Sequence, residues 1–133
     1  MDFFVNDNLI EPEPGDILIS EPYLPDPNFK RTVVLICEHD ENGTVGFVLN
    51  RKSKSVFSDV IVEAAHFDAP LYIGGPVQQD TLHFIHKDIP EMELGQPIGE
   101  RLVWGGDFNQ LLTRIDTHQI DKNNYRFFVG YSG

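Results

Sequence analysis

The alternation of apolar and polar residues predicts several short β-strands in the first half of the chain. Residues 16–20 contain the apolar run Ile17-Leu18-Ile19 within a proline-rich stretch, where each proline fixes φ and removes a backbone donor, so we expect one short strand there. Residues 32–38 are β-branched and apolar on both faces, which is typical of a central strand. Asn42-Gly43 favours a type I′ turn, so the pattern predicts a β-hairpin at residues 32–49.

A helical pattern first occurs at residues 55–66. Val56, Val60 and Ala64 are spaced four residues apart, which would place them on one side of a helix. Residues 60–62 also suit a strand, because all three are β-branched. We expect a helix in this segment and keep the strand as the alternative.

The strongest helical signal follows Asp107, a residue type that favours the N-cap position. The next apolar residues fall at i, i+3, i+4 and i+7, and they are Phe108, Leu111, Leu112 and Ile115. Short strands are expected at residues 71–73, 81–86, 101–104 and 125–131, with a loop at 90–99. Because strands and helices do not alternate strictly, the predicted class is α+β, with a largely antiparallel or mixed sheet and two or more packed helices.

Length and composition indicate a single domain over residues 1–133. A chain of 133 residues, with 41% hydrophobic residues and ten phenylalanines, can bury one core without staples. The single cysteine, Cys37, cannot form an internal disulfide. The N-terminus lacks the basic start and apolar run of a signal peptide, and the apolar runs are too short to cross a membrane. We therefore expect a cytoplasmic protein that is not embedded in a membrane.

The formal net charge of −11 disfavours direct binding of nucleic acid by the surface as a whole. The basic residues are unevenly distributed, however. Five of the ten lie between residues 30 and 54, and they are Lys30, Arg31, Arg51, Lys52 and Lys54. This spacing allows a local positive surface on an acidic body, and the ordinary alternative is a solvated face with scattered basic residues.

No pattern in the sequence specifies a reaction, a cofactor or a metal site. Cys37 and His39 share a strand face, but a cysteine within an apolar run is typical of a buried, unreactive thiol. His83 and His86 are three residues apart on a predicted strand, which places them on opposite faces and argues against a shared metal ion. The turn at residues 74–76 (Gly-Gly-Pro) is either a plain tight turn or a loop that approaches an anion or ligand closely.

Six sequence blocks occur in an order and spacing that are specific when taken together. They are GDILISEP at 15–22, DPNFKRTVV at 26–34, CEHDENG at 37–43, GFVLNR at 46–51, GGPV at 74–77 and GYSG at 130–133. In these blocks the chain resembles the AlgH family, also called YqgE-like, over nearly its whole length from Gly15. The resemblance implies a bacterial, cytoplasmic protein of mixed α/β fold. Members of the family are labelled candidate transcriptional regulators, and the resemblance implies no enzymatic activity.

Family members usually continue beyond the GYSG block into a tryptophan-led segment and a further helix. The resemblance therefore implies a C-terminally truncated domain. Residues 125–131 form a strand with at least one well-filled apolar face. We expect that face to be partly exposed, and self-association would then cover it.

The resemblance also supplies a candidate ligand- or partner-binding surface. Its residues are Asp26, Asn28, Phe29, Lys30, Arg31, Asn50, Arg51, Gly74, Gly75 and Pro76. Structural roles are the alternative, because Asp26 and Asn28 suit loop capping and the arginines suit ion pairs. The predicted function is a non-enzymatic regulatory or interaction role with an unknown protein or small-molecule partner. The alternative is a small-molecule or nucleotide-binding protein, or an enzyme, that uses the loops at Asn50-Arg51 and Gly74-Gly75.

Overall fold

The structure, a computed structural model, describes residues 11–20, 31–87 and 93–133. Within these residues the chain forms nine strands, two α-helices and two 3-10 turns. Their bounds are β1 Ile17–Ser20, β2 Thr32–Asp40, β3 Gly43–Val48, β4 Lys52–Val56, α1 Phe57–Val60, β5 Pro70–Ile73, β6 Val77–Lys87, β7 Gln96–Ile98, β8 Leu102–Trp104, α2 Phe108–Asp116 and β9 Tyr125–Tyr131. The 3-10 turns are Val62–Ala64 and Lys122–Asn124.

The strands form two sheets. The first is antiparallel with the order β1-β2-β3, and the second has the order β4-β5-β9-β6-β8-β7. In the second sheet β5 and β9 are parallel, whereas the other pairings are antiparallel. The sheets join at β3, because the Val48 amide donates to the Gly74 carbonyl at 2.8 Å and the Gly46 amide donates to that of Ser132 at 2.9 Å.

The second sheet is buried on both faces. One face packs against the first sheet through a cluster of Leu35, Cys37, Phe47, Ile85, Ile98 and Phe128. The other face packs against the helices through a cluster of Phe57, Ala64, Phe67, Ala69, Leu71, Phe84, Leu111, Ile115 and Phe127. The resulting order of layers is sheet, sheet and helices. This arrangement confirms the predicted α+β class with a mixed sheet.

The hairpin predicted at residues 32–49 is present, but its turn lies one residue earlier than expected. Asp40 pairs with Gly43, so the turn residues are Glu41 and Asn42. The Asp40 carboxylate accepts from the Asn42 amide at 2.8 Å, and Gly43 takes the positive φ of 136°. Asn42 is not among the described residues with positive φ, so the type I′ prediction is wrong. The hydrogen bond from the Asn42 amide to the Asp40 side chain stabilises the observed turn at Glu41 and Asn42.

The prediction of a single helix over residues 55–66 is wrong, because only a short part of this segment is helical. Strand β4 takes the start of this segment, and α1 then contains only four residues before the first 3-10 turn. The Phe57 amide donates to the Ala69 carbonyl at 2.8 Å, so the chain folds back on itself instead of propagating a helix. Val60 is 49% exposed while Phe57 is fully buried, so burial does not follow the spacing that suggested the helix.

Helix α2 begins where the sequence predicts. The Asp107 carboxylate accepts from the amides of Asn109 and Gln110 at 3.0 and 3.3 Å, which satisfies two donors of the first turn. The loop predicted at residues 90–99 is not a loop throughout its described part, because residues 96–98 form β7 and pair with β8.

Strand β9 also lies where the sequence predicts, but its apolar faces are covered. It runs between β5 and β6, and Phe127 and Phe128 are 1% and 0% exposed on opposite faces. Gly130 has a φ of 70°, which breaks the alternation and brings Tyr131 to the face of Phe128. The expected exposed apolar strip on this strand is therefore wrong, and self-association stays a prediction.

Candidate functional site

Four predicted site residues, Asp26, Asn28, Phe29 and Lys30, lie outside the residues that the structure describes. The other six lie at two places. Arg31, Asn50 and Arg51 flank the start of β2 and the end of β3, and Gly74, Gly75 and Pro76 follow β5. The hydrogen bond from the Val48 amide to the Gly74 carbonyl makes these two places neighbours.

Asn50 joins two strand ends. Its Oδ1 accepts from the Val33 amide at 3.1 Å, and its Nδ2 donates to the Arg31 carbonyl at 2.5 Å. Beside them, the Leu49 amide donates to the Val33 carbonyl at 2.7 Å. The Asn50 side chain therefore extends the β2–β3 ladder and holds Arg31 close to residues 49–51.

The two glycines after β5 are required by close packing against the end of β9. A Cβ atom at Gly75 would lie 2.2 Å from the Tyr131 carbonyl oxygen, and one at Gly74 would lie 2.5 Å from that of Gly130. The Gly74 amide already donates to the Val129 carbonyl at 2.9 Å. These glycines therefore bring β5 against β9, while Pro76 is exposed beside them.

Arg126, which the sequence interpretation did not select, is the most clearly positioned cation in this region. Its Nη1 donates to the Leu49 carbonyl at 3.1 Å, and its guanidinium carbon lies 4.6 Å from the centre of the Tyr72 ring. Among the described residues no carboxylate forms an ion pair with it. An arginine in the otherwise aromatic run at residues 125–128 was the available sequence signal.

Three other basic residues lie close to these contacts. Lys52 lies opposite Tyr72 in the β4–β5 register, so both side chains share a sheet face with the Arg126 guanidinium. The Arg51 carbonyl accepts from the Ile73 amide at 2.8 Å, and Arg31 is held by Asn50. We call Arg31, Arg51, Lys52 and Arg126 the cationic edge.

A cavity of about 250 Å³ opens between the sheets beside Arg126. Its interior is apolar and its rim carries Lys87 and Arg126. A second cavity of about 190 Å³ shares Asn123, Tyr125 and Arg126 with it. Among the described residues no aspartate or glutamate lines either cavity, although acidic residues outnumber basic ones by 21 to 10 in the chain. Acidic side chains do lie beside this region, because the Asp121 carboxylate accepts from the Asn123 amide at 2.9 Å and Asp68 pairs with Lys122 at 2.7 Å.

The opposite end of the first sheet carries acidic residues. A cavity of about 490 Å³ there is lined by Glu38, Asp40 and the hairpin turn, with no basic residue in its described lining. Residues 38–40 end β2, whereas the cationic edge lies at the start of β2. The charges are therefore separated along the first sheet.

The chain matches the model of the AlgH-like family over residues 17–133. It belongs to this family. A UPF0301 protein of Cytophaga hutchinsonii is 45% identical over 120 residues, which cover 90% of this chain and 66% of the relative. A UPF0301 protein of Parabacteroides distasonis is 42% identical, covering 98% of this chain and 67% of the relative. The chain thus spans about two thirds of the length of these curated relatives.

Solved structures agree with the AlgH-like fold. The crystal structure of a Corynebacterium diphtheriae protein has a TM-score of 0.69 and 26% identity, covering 98% of this chain and 71% of that one. The solution structure of the AlgH protein from Pseudomonas aeruginosa has a TM-score of 0.63 and 28% identity, covering 87% and 64%. The predicted family is therefore confirmed.

Cys37 and His39, the candidate nucleophile and base, have separate contacts in this AlgH-like chain. Burial, followed by the negative charge of Glu38, raises the pKa of the Cys37 thiol to about 12, and the thiol is fully buried. His39 instead contacts Thr44 through Nδ1 at 2.6 Å. No group of three or more potential metal ligands exists among the described residues. In the same part of the chain, no helix has the length and apolar character needed to cross a membrane.

His83 and His86 lie on opposite faces of β6, as the sequence predicts. His83 contacts the Phe47 and Trp104 rings between the sheets, and burial lowers its pKa. His86 is 1% exposed, and its ring stacks between those of Phe84 and Tyr125. The two imidazoles therefore do not share a metal-binding position.

Proposed function

We propose that this chain is a non-enzymatic cytoplasmic protein with a regulatory or interaction role, and that it binds a negatively charged surface of a protein partner through the cationic edge. The observation that carries the proposal is Arg126. The Leu49 carbonyl and the Tyr72 ring orient its guanidinium, and no described carboxylate neutralises it. An oriented arginine is well suited to bind carboxylates in a bidentate manner.

Charge separation supports a protein partner. The cationic edge contains four basic residues on a chain of net charge −11. A local positive surface steers an acidic protein surface into one orientation, whereas the acidic remainder repels it elsewhere. Four cations are few for a phosphate backbone, because affinity for DNA depends on the number of phosphates neutralised.

The state of the reactive side chains supports a non-enzymatic role. The Cys37 thiol is buried with a raised pKa, so little of it is present as the nucleophilic thiolate near neutrality. Both ring nitrogens of His86 lie against backbone carbonyls, at 2.9 Å from Lys87 and 2.8 Å from Gly105. The Cys37 thiol and the His86 imidazole therefore contribute to packing and hydrogen bonding within the fold.

A pair of matched charge reversals tests the proposal. Arg51→Glu changes the cationic edge, and Arg101→Glu makes the same charge change at an exposed position in the turn before β8. Each form is expressed in a bacterial host and purified under native conditions, and partners are quantified by mass spectrometry. The recovered partner is then purified and its affinity is measured at low and physiological salt.

We expect Arg51→Glu to lose the partner and Arg101→Glu to retain it, with affinity decreasing as salt screens the charges. A partner that binds both variants equally, or whose affinity is independent of salt, would contradict the proposal.

A second candidate function is small-molecule or nucleotide binding, with or without catalysis, at the loops that contain Asn50-Arg51 and Gly74-Gly75. The observation that favours a small ligand is the cavity beside Arg126, which has no acidic residue in its described lining. Leu49 in that lining precedes the first of these loops, and the four loop residues themselves do not line the cavity. Native mass spectrometry of the purified chain would reveal a co-purified ligand.

A further inference from the structure

Strand register builds a two-part surface where β6 ends and β9 begins. Ile85 lies opposite Arg126 in the antiparallel register, so their side chains share a face. Residues two apart on a strand also share a face, which adds Lys87 beside Ile85 and Phe128 beside Arg126. All four line the cavity of about 250 Å³. The register therefore places an apolar pair next to a cationic pair, with the cationic pair towards the strand ends.

The first sheet supplies the apolar roof of this cavity. Leu35 is buried and packs in the same cluster as Ile85 and Phe128. Ile17 lies opposite Leu35 in the β1–β2 register and continues the same face, yet it is 48% exposed. The mouth of the cavity therefore presents uncovered apolar surface beside Arg126 and Lys87. Such a combination favours a ligand that is itself part apolar and part anionic.

Arg126 retains the donors that such a ligand requires. A guanidinium carries five N–H groups, and the hydrogen bond to the Leu49 carbonyl uses one. The Tyr72 ring restrains the guanidinium plane, and a planar fork of donors matches a carboxylate. Lys87 is exposed on the same cavity and adds a second positive charge.

The volume of the cavity sets the scale of the part of a ligand that the cavity encloses. A space of about 250 Å³ is smaller than the roughly 300–1,000 Å³ of pockets for drug-sized molecules. At the packing density of protein interiors, about 0.74, it holds roughly 185 Å³ of ligand. That is the size of a carboxylate with about eight carbons or of a small aromatic acid.

We propose that this cavity binds a small amphipathic carboxylate, with its apolar part between Leu35, Ile85 and Phe128 and its carboxylate on Arg126 and Lys87. The site goes beyond the proposed partner surface and shares only Arg126 with it. The ligand is recognised by its combination of tail and charge, and neither part suffices alone.

Titration of the purified, isotopically labelled chain with octanoate, followed by amide and arginine side-chain NMR, tests the proposal. Octanol has the tail without the charge, and acetate has the charge without the tail. We expect saturable shifts at Ile85, Phe128 and Arg126 with octanoate below its micelle concentration, and binding at least about tenfold weaker for both controls. Equal binding of octanol, or shifts that do not saturate or lie elsewhere, would overturn the proposal.

Variants complete the test. Arg126→Gln should weaken octanoate binding at least about tenfold, because it removes a charge-assisted hydrogen bond, whereas Arg101→Gln should bind as the parent chain does. Lys87→Gln, at an exposed strand end, gives a second variant if Arg126→Gln fails to fold. Unchanged binding in a folded Arg126→Gln variant, or in Lys87→Gln when that variant replaces it, would overturn the assignment. No partner protein is present in this experiment, so its outcome is independent of the Arg51→Glu result.

Discussion

Burial determines the chemistry of Cys37. The side chain is fully buried between the two sheets, at the bulge where the β2–β3 register shifts between Ile36 and Glu38. The thiolate would be desolvated there, which is the main reason that the thiol pKa rises from 9.0 to about 12. Cys37 therefore acts as a small hydrophobic residue of the core.

Cys37→Ala should lower the free energy of unfolding by about 1 kcal/mol at pH 8, as a small truncation in a core does. This difference should vanish near pH 10. Between pH 9 and 12 the unfolded thiol loses its proton while the folded thiol keeps it, so the parent chain loses roughly 1 kcal/mol by pH 10 and the alanine variant does not. Urea unfolding at both pH values measures the effect. A difference that stays constant, or fast alkylation of the native thiol, would contradict this account.

His86 is a buried polar residue with two backbone acceptors. Its Nδ1 and Nε2 lie 2.9 and 2.8 Å from the carbonyl oxygens of Lys87 and Gly105. The Gly105 amide also donates to the Phe84 carbonyl at 2.8 Å, so β6 holds the Gly105 peptide from both sides. This contact fixes the segment that leads from β8 into α2.

His86→Phe should keep the ring stack and remove the imidazole N–H, at a cost of about 2 kcal/mol in the free energy of unfolding, because the buried carbonyl oxygen that accepts from it loses its partner. His83→Phe is the matched control, since the recorded side-chain bond of His83 goes to the Thr81 hydroxyl and the residue is only partly buried. Chemical unfolding of both variants gives the comparison. Equal stability of His86→Phe and the parent chain would show that these contacts add nothing.

At the level of elements, Asn50 shows how a side chain can complete a strand. Asn50→Ala should reduce the free energy of unfolding by about 1 kcal/mol, because the Val33 amide and the Arg31 carbonyl each lose a hydrogen bond. Asn50→Asp keeps the acceptor for the Val33 amide and removes the donor to the Arg31 carbonyl. Its free energy of unfolding should therefore lie between those of the parent chain and Asn50→Ala. Arg51→Ala, at the next exposed position, should change stability by less than about 0.5 kcal/mol. Equal effects of Asn50→Ala and Arg51→Ala in thermal or urea unfolding would contradict the proposed role.

The elements that sequence predicts well carry local signals. Asp107 and the apolar spacing after it define α2, and the flanking turn residues define the hairpin at 32–49. The spacing of residues 55–66 predicts one helix, but backbone hydrogen bonds to residues 67–69 override that preference. The spacing of apolar residues within a segment does not show which other part of the chain will form hydrogen bonds with that segment.

The same limit explains the candidate site. Arg31, Asn50 and Arg51 could be proposed from sequence blocks, and the structure brings them together. For Arg126 the sequence offers only an arginine within an aromatic run, because its hydrogen bond to Leu49 crosses 77 residues of sequence and depends on the parallel pairing of β5 with β9. The glycines at 74 and 75 were predicted to form a ligand loop or a plain turn, and only the packing against Tyr131 and Gly130 reveals their structural role.

At the scale of the whole molecule, uneven charge governs which partners can approach. The cationic edge and the cavity beside it occupy one end of the first sheet, and the cavity lined by Glu38 and Asp40 occupies the other. Salt screens charges that are separated by more than the Debye length, about 8 Å at physiological salt, so a partner senses mainly the local charge of the surface that it approaches. Close approach by an anionic partner is therefore favourable only in one orientation.

Binding of DNA should consequently be weak, with a dissociation constant on the order of 10⁻⁴ M or higher at physiological salt. The four residues of the cationic edge can neutralise few phosphates, so the dependence of affinity on salt should be shallow. Helix α2, the longest helix among the described residues, carries Arg114 as its one basic residue and packs into the core through Leu111 and Ile115, so it is unsuited to reading a major groove. Titration with random and promoter DNA at several salt concentrations, repeated with Arg31→Ala, Arg51→Ala and the control Arg101→Ala, measures this. Submicromolar, sequence-selective binding that is lost in either edge variant and retained in the control would make the cationic edge a DNA-binding surface.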